Sequence, residues 1–181
     1  ETYHIAPLHK NSISPFYYSN STAVDELGEV VRLVSPRKTI DKEFSKPDSK
    51  QNALLPYCTT EYLIAPNVLL THQVDHIQFW RVYPLDGASR CRVELNLFWP
   101  LPMDEEAERK ARLNVDLVWQ VTTDEDFPQS LAIHRNLESG VLPDLVFGSN
   151  EPALIYYHQN IAKAIGSERL IPLVEVEKNA E

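Results

Sequence analysis

A chain of 181 residues with 43% hydrophobic and 24% charged residues reads as one soluble globular domain, long enough for a sizeable core. A formal net charge of −9 argues against nucleic acid as a partner, because phosphate binding needs a basic face, and no apolar run reaches the roughly 18 residues of a membrane span. Cys58 and Cys91 stand alone without metal-type spacing, which argues against an Fe–S or zinc-finger site in the chain and makes a thiol-reducing cytoplasm the simplest compartment.

The opening "ETYHIAPLHK" sets His4 and His9 five apart, with Glu1 three residues before His4. On an unbroken α-helix such a pair projects about 140° apart and shares no metal. Pro7 changes the expectation by stopping the helix nearby. His4 then falls on the last turn, with Glu1 on the same face, and His9 on a loop that folds back.

Farther along, "DELGEVVRLVS" (25–35) reads as a strand, and the polar, proline-punctuated stretch 35–52 as a surface loop. Between 60 and 100, apolar and β-branched runs broken by Pro66-Asn67 and by "PLDG" read as strands, with Asp86-Gly87 as a turn. The last run alternates: Cys91, Val93, Leu95, Leu97 and Trp99 share one face of a half-buried antiparallel strand.

Helical spacing follows. "MDEEAERKARLNVDLVW" carries an apolar stripe of Ala107, Ala111, Val115 and Val118, with Glu105–Arg109, Glu106–Lys110 and Glu108–Arg112 as i,i+4 pairs. "DEDFPQSLAIHRNLESG" reads as a second helix start, and "SNEPALIYYHQNIAKAIG" as a third helix, with Pro152 in its first turn and Gly166 as its stop. Strands followed by helices give an α+β domain, with helices against one face of an antiparallel sheet.

Two imidazoles and one carboxylate are the set that suits a non-haem Fe(II) centre with positions left open for oxygen. The third ligand must come from elsewhere in the chain, and Asp124, Glu125 and Asp126 are the candidates. Each reads equally well as a helix cap or a dipole-compensating charge. His72 and His76, four apart on an expected strand, have no evident third ligand and read as solvated or hydrogen-bonded. His158 reads as a hydrogen-bonded core histidine, and Trp80, Trp99 and Trp119 as core residues, one or two of them lining a pocket.

These segments together carry a resemblance. "ETYHIAPLH" resembles the iron-binding motif of the ring-hydroxylating (Rieske-type) oxygenase large subunits, acidic-x-x-His-x4-His. "YLIAPNVLL", "FWRVYPLDGASRCRVELNLFW", "DEDFPQSLAIHRNLESG" and "FGSNEPALIYYHQNIAKAI" resemble, in the same order, that family's strands, its ligand-bearing helix and its terminal helix. The resemblance implies a helix-grip catalytic domain over residues 1–181, an antiparallel sheet packed on helices with an apolar pocket over the iron. His4 and His9 match iron ligands, and Asp126 the carboxylate ligand. Where the family's helix usually reads Gln-Arg-Gly this chain has His134-Arg135-Asn136, which leaves Glu125 and then Asp124 as alternatives. Glu1 matches the acidic residue that bridges a neighbouring subunit's Rieske histidine to an iron-ligating histidine.

The family's [2Fe–2S] Rieske domain precedes this motif and needs two Cys and two His at close spacing. The chain is therefore expected to be the C-terminal part of a longer subunit, truncated at its N-terminal side. The implied activity is mono- or dioxygenation, by hydroxylation or oxidative demethylation, of an aromatic or other small organic substrate with dioxygen. Electrons would come from NAD(P)H through a reductase or ferredoxin, in a homotrimer. Two other classes stand beside this one: a non-catalytic helix-grip module that binds an apolar ligand, and a zinc hydrolase with the same ligands.

Overall fold

The computed structural model describes residues 2–18, 21–47, 54–87, 89–142 and 144–167. Strands β1 (Ala23–Leu27), β2 (Val30–Pro36), β3 (Cys58–Ile64), β4 (Val68–His72), β5 (Ile77–Pro84) and β6 (Cys91–Phe98) form one six-stranded antiparallel meander in chain order. Helices are α1 (Thr2–Leu8), α2 (Asp41–Phe44), α3 (Glu105–Val121), α4 (Phe127–Glu138) and α5 (Pro152–Ile165). This is the α+β, helix-grip arrangement expected from the strand-then-helix order.

Period-2 patterning sets the inner face of the sheet. Val31, Leu63, Leu69, Trp80 and Leu95 stand opposite one another across five strands, and Leu33, Glu61, Thr71, Gln78 and Leu97 form the next row. Val31 and Leu33 are buried against Ala153 of α5, with Val24, Leu63 and Tyr156 around them. The Tyr157 hydroxyl of α5 donates to the Pro66 carbonyl, and Asn160 Nδ2 donates to the Gly28 carbonyl at 3.2 Å, tying the helix to two strand connections. Gly166 closes α5 in the left-handed conformation (φ 65°), as the sequence predicts.

Several expectations are corrected. "DELGEVVRLVS" is a hairpin rather than one strand, because Gly28 at φ 71° reverses the chain between β1 and β2. In the stretch read as a loop, a 3₁₀ turn (Lys38–Ile40) leads into α2. Ile40 is buried there, and the buried Glu43 accepts from Lys46; residues 48–52 of the stretch lie outside the described residues. His72 ends β4 while His76 precedes β5, so the pair does not share a strand; His76 stacks on Trp99 at 5.0 Å and meets Asp75 at 2.7 Å. His158 packs against Phe147 at 4.9 Å, and burial pushes its imidazole pKa down. Trp80 lines a cavity as expected, but Trp119 is 69% exposed.

The acidic run 124–126 is not a helix start. One helical rod runs from Glu105 to Glu138, and residues Thr122–Asp126 form a π turn inside it, closed by Phe127 N–H donating to the Thr122 carbonyl. Pro128, without an N–H, cannot complete the ladder to the carbonyl four residues back, and the wider turn accommodates that break. The rod's inward face runs Ala107, Ala111, Asn114, Val118 and Val121, so Asn114 takes the place expected for Val115, which is exposed. Of the three expected i,i+4 pairs, Glu106–Lys110 closes at 2.7 Å; the other two form no ion pair among the described residues.

The rod's true cap is Asp104, whose Oδ1 accepts from Ala107 N–H at 2.8 Å. Asp104→Ala is expected to lower stability by about 0.5–2 kcal/mol, read as a shift of the urea unfolding midpoint at unchanged slope.

Candidate metal centre

Pro7 lies within α1, which runs on to Leu8, so the helix ends two residues later than its proline suggests and His4 sits in its interior. His9 follows directly. Its N–H donates to the Ile5 carbonyl at 3.2 Å, and its own carbonyl accepts from Ser12 N–H (3.1 Å) and Ser14 N–H (3.0 Å). That bonding reverses the chain at His9 and overrides the i,i+5 divergence of a straight helix. The two imidazoles meet edge-to-face, ring centroids 4.9 Å apart.

The π turn brings the carboxylates to them. Asp126 Oδ1 stands 3.1 Å from His9 Nε2 and 3.7 Å from His4 Nε2. Each of the three residues offers a ligand atom, all within 4.8 Å of one another, and this is the one such group of three among the described residues. Two atoms bound to one ion at about 2.1 Å stand about 3.0 Å apart at a right angle and about 3.4 Å apart at the tetrahedral angle. The observed 3.1 and 3.7 Å lie within a few tenths of an ångström of those values, so the donor set fits a small divalent metal.

Glu125 holds the other side of His9. Its Oε2 lies 2.5 Å from His9 Nδ1 and accepts from Ser12 Oγ at 2.7 Å. The His9 contact, then Ser12, holds the Glu125 carboxyl below its ordinary pKa. An ionised carboxylate only accepts, so His9 Nδ1 carries the proton and Nε2 is directed at Asp126. A carboxylate behind a ligating imidazole is the usual way to fix its tautomer. Asp124 is exposed and turned away, accepting from Thr123 Oγ1 at 3.2 Å. Glu1 lies outside the described residues.

His9 is 1% exposed, whereas the side chains of His4 and Asp126 are each 35% exposed. All three line a cavity of about 790 Å³ between the inner sheet face, α1, α3 and α5. His4 and Asp126 also border a second, outer groove beside Pro7, Gln129 and Ile133. The sequence reading passed over Ser12, whose only signal is its place three residues after His9. It also passed over Glu61, an inward carboxylate in β3 that lines the cavity. The alternation Thr59, Glu61, Leu63 could have flagged it, but the flanking Thr60 and Tyr62 make either face plausible.

No described helix is long and apolar enough to cross a membrane. Cys58 and Cys91 are free thiols at the starts of β3 and β6. In comparison with known proteins, residues 1–167 match the family described as ring hydroxylating alpha subunit (catalytic domain). Comparison with curated proteins and with solved structures gives no match.

Proposed function

The chain belongs to the ring-hydroxylating alpha-subunit family as a catalytic domain, and from that premise we propose that His4, His9 and Asp126 hold a mononuclear ferrous ion beside a substrate cavity. The observation that carries the reading is the convergence of two imidazoles and one carboxylate at the wall of that cavity. This set leaves coordination positions open, and a ferrous ion held so supplies the dioxygen chemistry that side chains lack. The domain's own residues do the rest. Glu125 and Ser12 fix the His9 tautomer and ring plane. Leu33, Leu63, Leu69 and Trp80 give the cavity apolar walls that orient a small organic substrate and restrict water.

The reaction on this reading is hydroxylation or oxidative demethylation. Its electrons come from a Rieske [2Fe–2S] centre outside this chain, fed by NAD(P)H through a reductase or ferredoxin. Glu1 keeps the role of bridge to a neighbouring subunit's cluster, since a carboxylate accepts from two imidazoles at once. Assembly as a homotrimer accords with the exposed Leu113, Trp119, Leu131 and Ile133 along the helical rod, apolar surface of the kind that interfaces cover.

Anaerobic Fe(II) titration tests the centre, with one ion per chain expected. Product formation is expected only when a Rieske partner and reductant are added. Sustained turnover without that partner overturns the electron route. Tight zinc with esterase activity, or no metal uptake at all, replaces the oxygenase reading by the hydrolase or the binding module respectively.

A further inference from the structure

Glu61 sits mid-sheet on the inner face, between Leu33 of β2 and Thr71 of β4, and lines the same cavity as His4, His9 and Asp126. No hydrogen bond or ion pair joins its carboxyl to another described residue. Several donors on the cavity wall are engaged with one another. Thr59 Oγ1 donates to Gln73 Oε1 at 2.9 Å, Tyr17 Oη lies 2.7 Å from Thr59 Oγ1, and Trp80 Nε1 donates to Gln78 Oε1 at 3.2 Å. Gln78 Nε2 lies 3.0 Å from His76 Nε2.

The other charges lining the cavity are placed otherwise. Asp75 meets His76, Arg37 lies over the Tyr17 ring at 5.5 Å with its Nε buried and without a hydrogen-bond partner among the described residues, and Lys38 is exposed. Burial pushes the Glu61 carboxyl pKa up. A half-buried carboxylate without an ion-pair partner is costly, and a group that enters the cavity with a positive charge relieves that cost.

We propose that Glu61 is the counter-ion for a positively charged nitrogen of the substrate, so that the cavity selects an organic ammonium compound over a neutral or anionic one of the same shape. The proposal deepens the oxygenase reading and rests on it for what happens to the bound molecule. The selection itself is a property of the cavity and needs no metal.

Three probes of one shape test it: benzylammonium, benzyl alcohol and benzoate, each titrated calorimetrically into metal-free protein, wild type and Glu61→Gln. Benzylammonium is expected to bind the wild type roughly tenfold or more tighter than benzyl alcohol, the weight of a charge-assisted contact. That preference should vanish in Glu61→Gln while benzyl alcohol binding stays as it was. Circular dichroism and an unchanged Fe(II) titration of the variant show that fold and centre are intact. Equal binding of ammonium and alcohol, preference for benzoate, no saturable ammonium binding, or an ammonium preference that survives Glu61→Gln each overturns the proposal. Loss of Fe(II) uptake in the wild type strikes the oxygenase reading instead and leaves the Glu61 result standing.

Discussion

His4→Ala is expected to abolish stoichiometric Fe(II) binding while the sheet stays folded. His4 stands on α1 rather than in the sheet and its side chain is 35% exposed, so its removal is expected to leave the inner face intact. Two donors then remain for an ion that needs three protein ligands to hold its open positions. His9→Ala should abolish binding as well, but with a second effect. Glu125 Oε2 would keep Ser12 Oγ but lose His9 Nδ1, a loss of about 0.5–1.5 kcal/mol, and the space of a fully buried ring would be left unfilled. Anaerobic titration followed by circular dichroism separates the two: His4→Ala should lose the metal at nearly unchanged thermal midpoint, and His9→Ala should lose both. Undiminished iron affinity in His4→Ala would remove the histidine from the centre.

The carboxylates are expected to rank Asp126, then Glu125, then Asp124. Asp126→Ala takes away the anionic donor that stands 3.1 Å from His9 Nε2, and iron binding should disappear with it. Glu125→Ala leaves three donors but frees the His9 ring to rotate or change tautomer. Its iron affinity should fall by about 10–100-fold, the usual cost of losing an outer-shell partner. Asp124→Ala alters an exposed side chain that accepts from Thr123 Oγ1, and stability should stay within about 0.5 kcal/mol. Competition titrations against a chelator of known affinity order the three. An effect at Glu125 equal to that at Asp126 would show that the carboxylate register is misassigned.

Much of the fold was legible because local physics and tertiary packing agree. The alternation from Cys91 to Trp99 needed only period 2, and α5 announced itself by Pro152 at one end and Gly166 at the other. The His4–His9 motif was legible as spacing. What brings the rings together is the backbone reversal at His9, bonded to Ser12 and Ser14, and no propensity encodes that. The acidic run misled for a definite reason. Acidic residues followed by proline mark a helix start in most sequences, and a π turn has no composition of its own. Asn114 on the rod's inner face was missed because an apolar stripe is sought among apolar residues, whereas this rod faces a cavity with polar lining. Glu61 was missed for the same reason: strand patterning places hydrophobic residues inward, and an inward carboxylate breaks the pattern where a cavity replaces packed core.

The π turn has one more consequence. A helix is a clock that advances about 100° with each residue, and the turn at Thr122–Asp126 resets its phase between two stretches that answer to different surroundings. Upstream, Ala111, Asn114, Val118 and Val121 keep time with the sheet; at its far end the turn presents Asp126 to His4 and His9. A point substitution on the solvent side leaves that timing alone. Gain or loss of a single residue anywhere between Val121 and Asp126 would swing everything after it by about a quarter turn or more. The rod should therefore tolerate broad drift in composition while its length across this interval stays fixed, a constraint written in residue count rather than in residue identity.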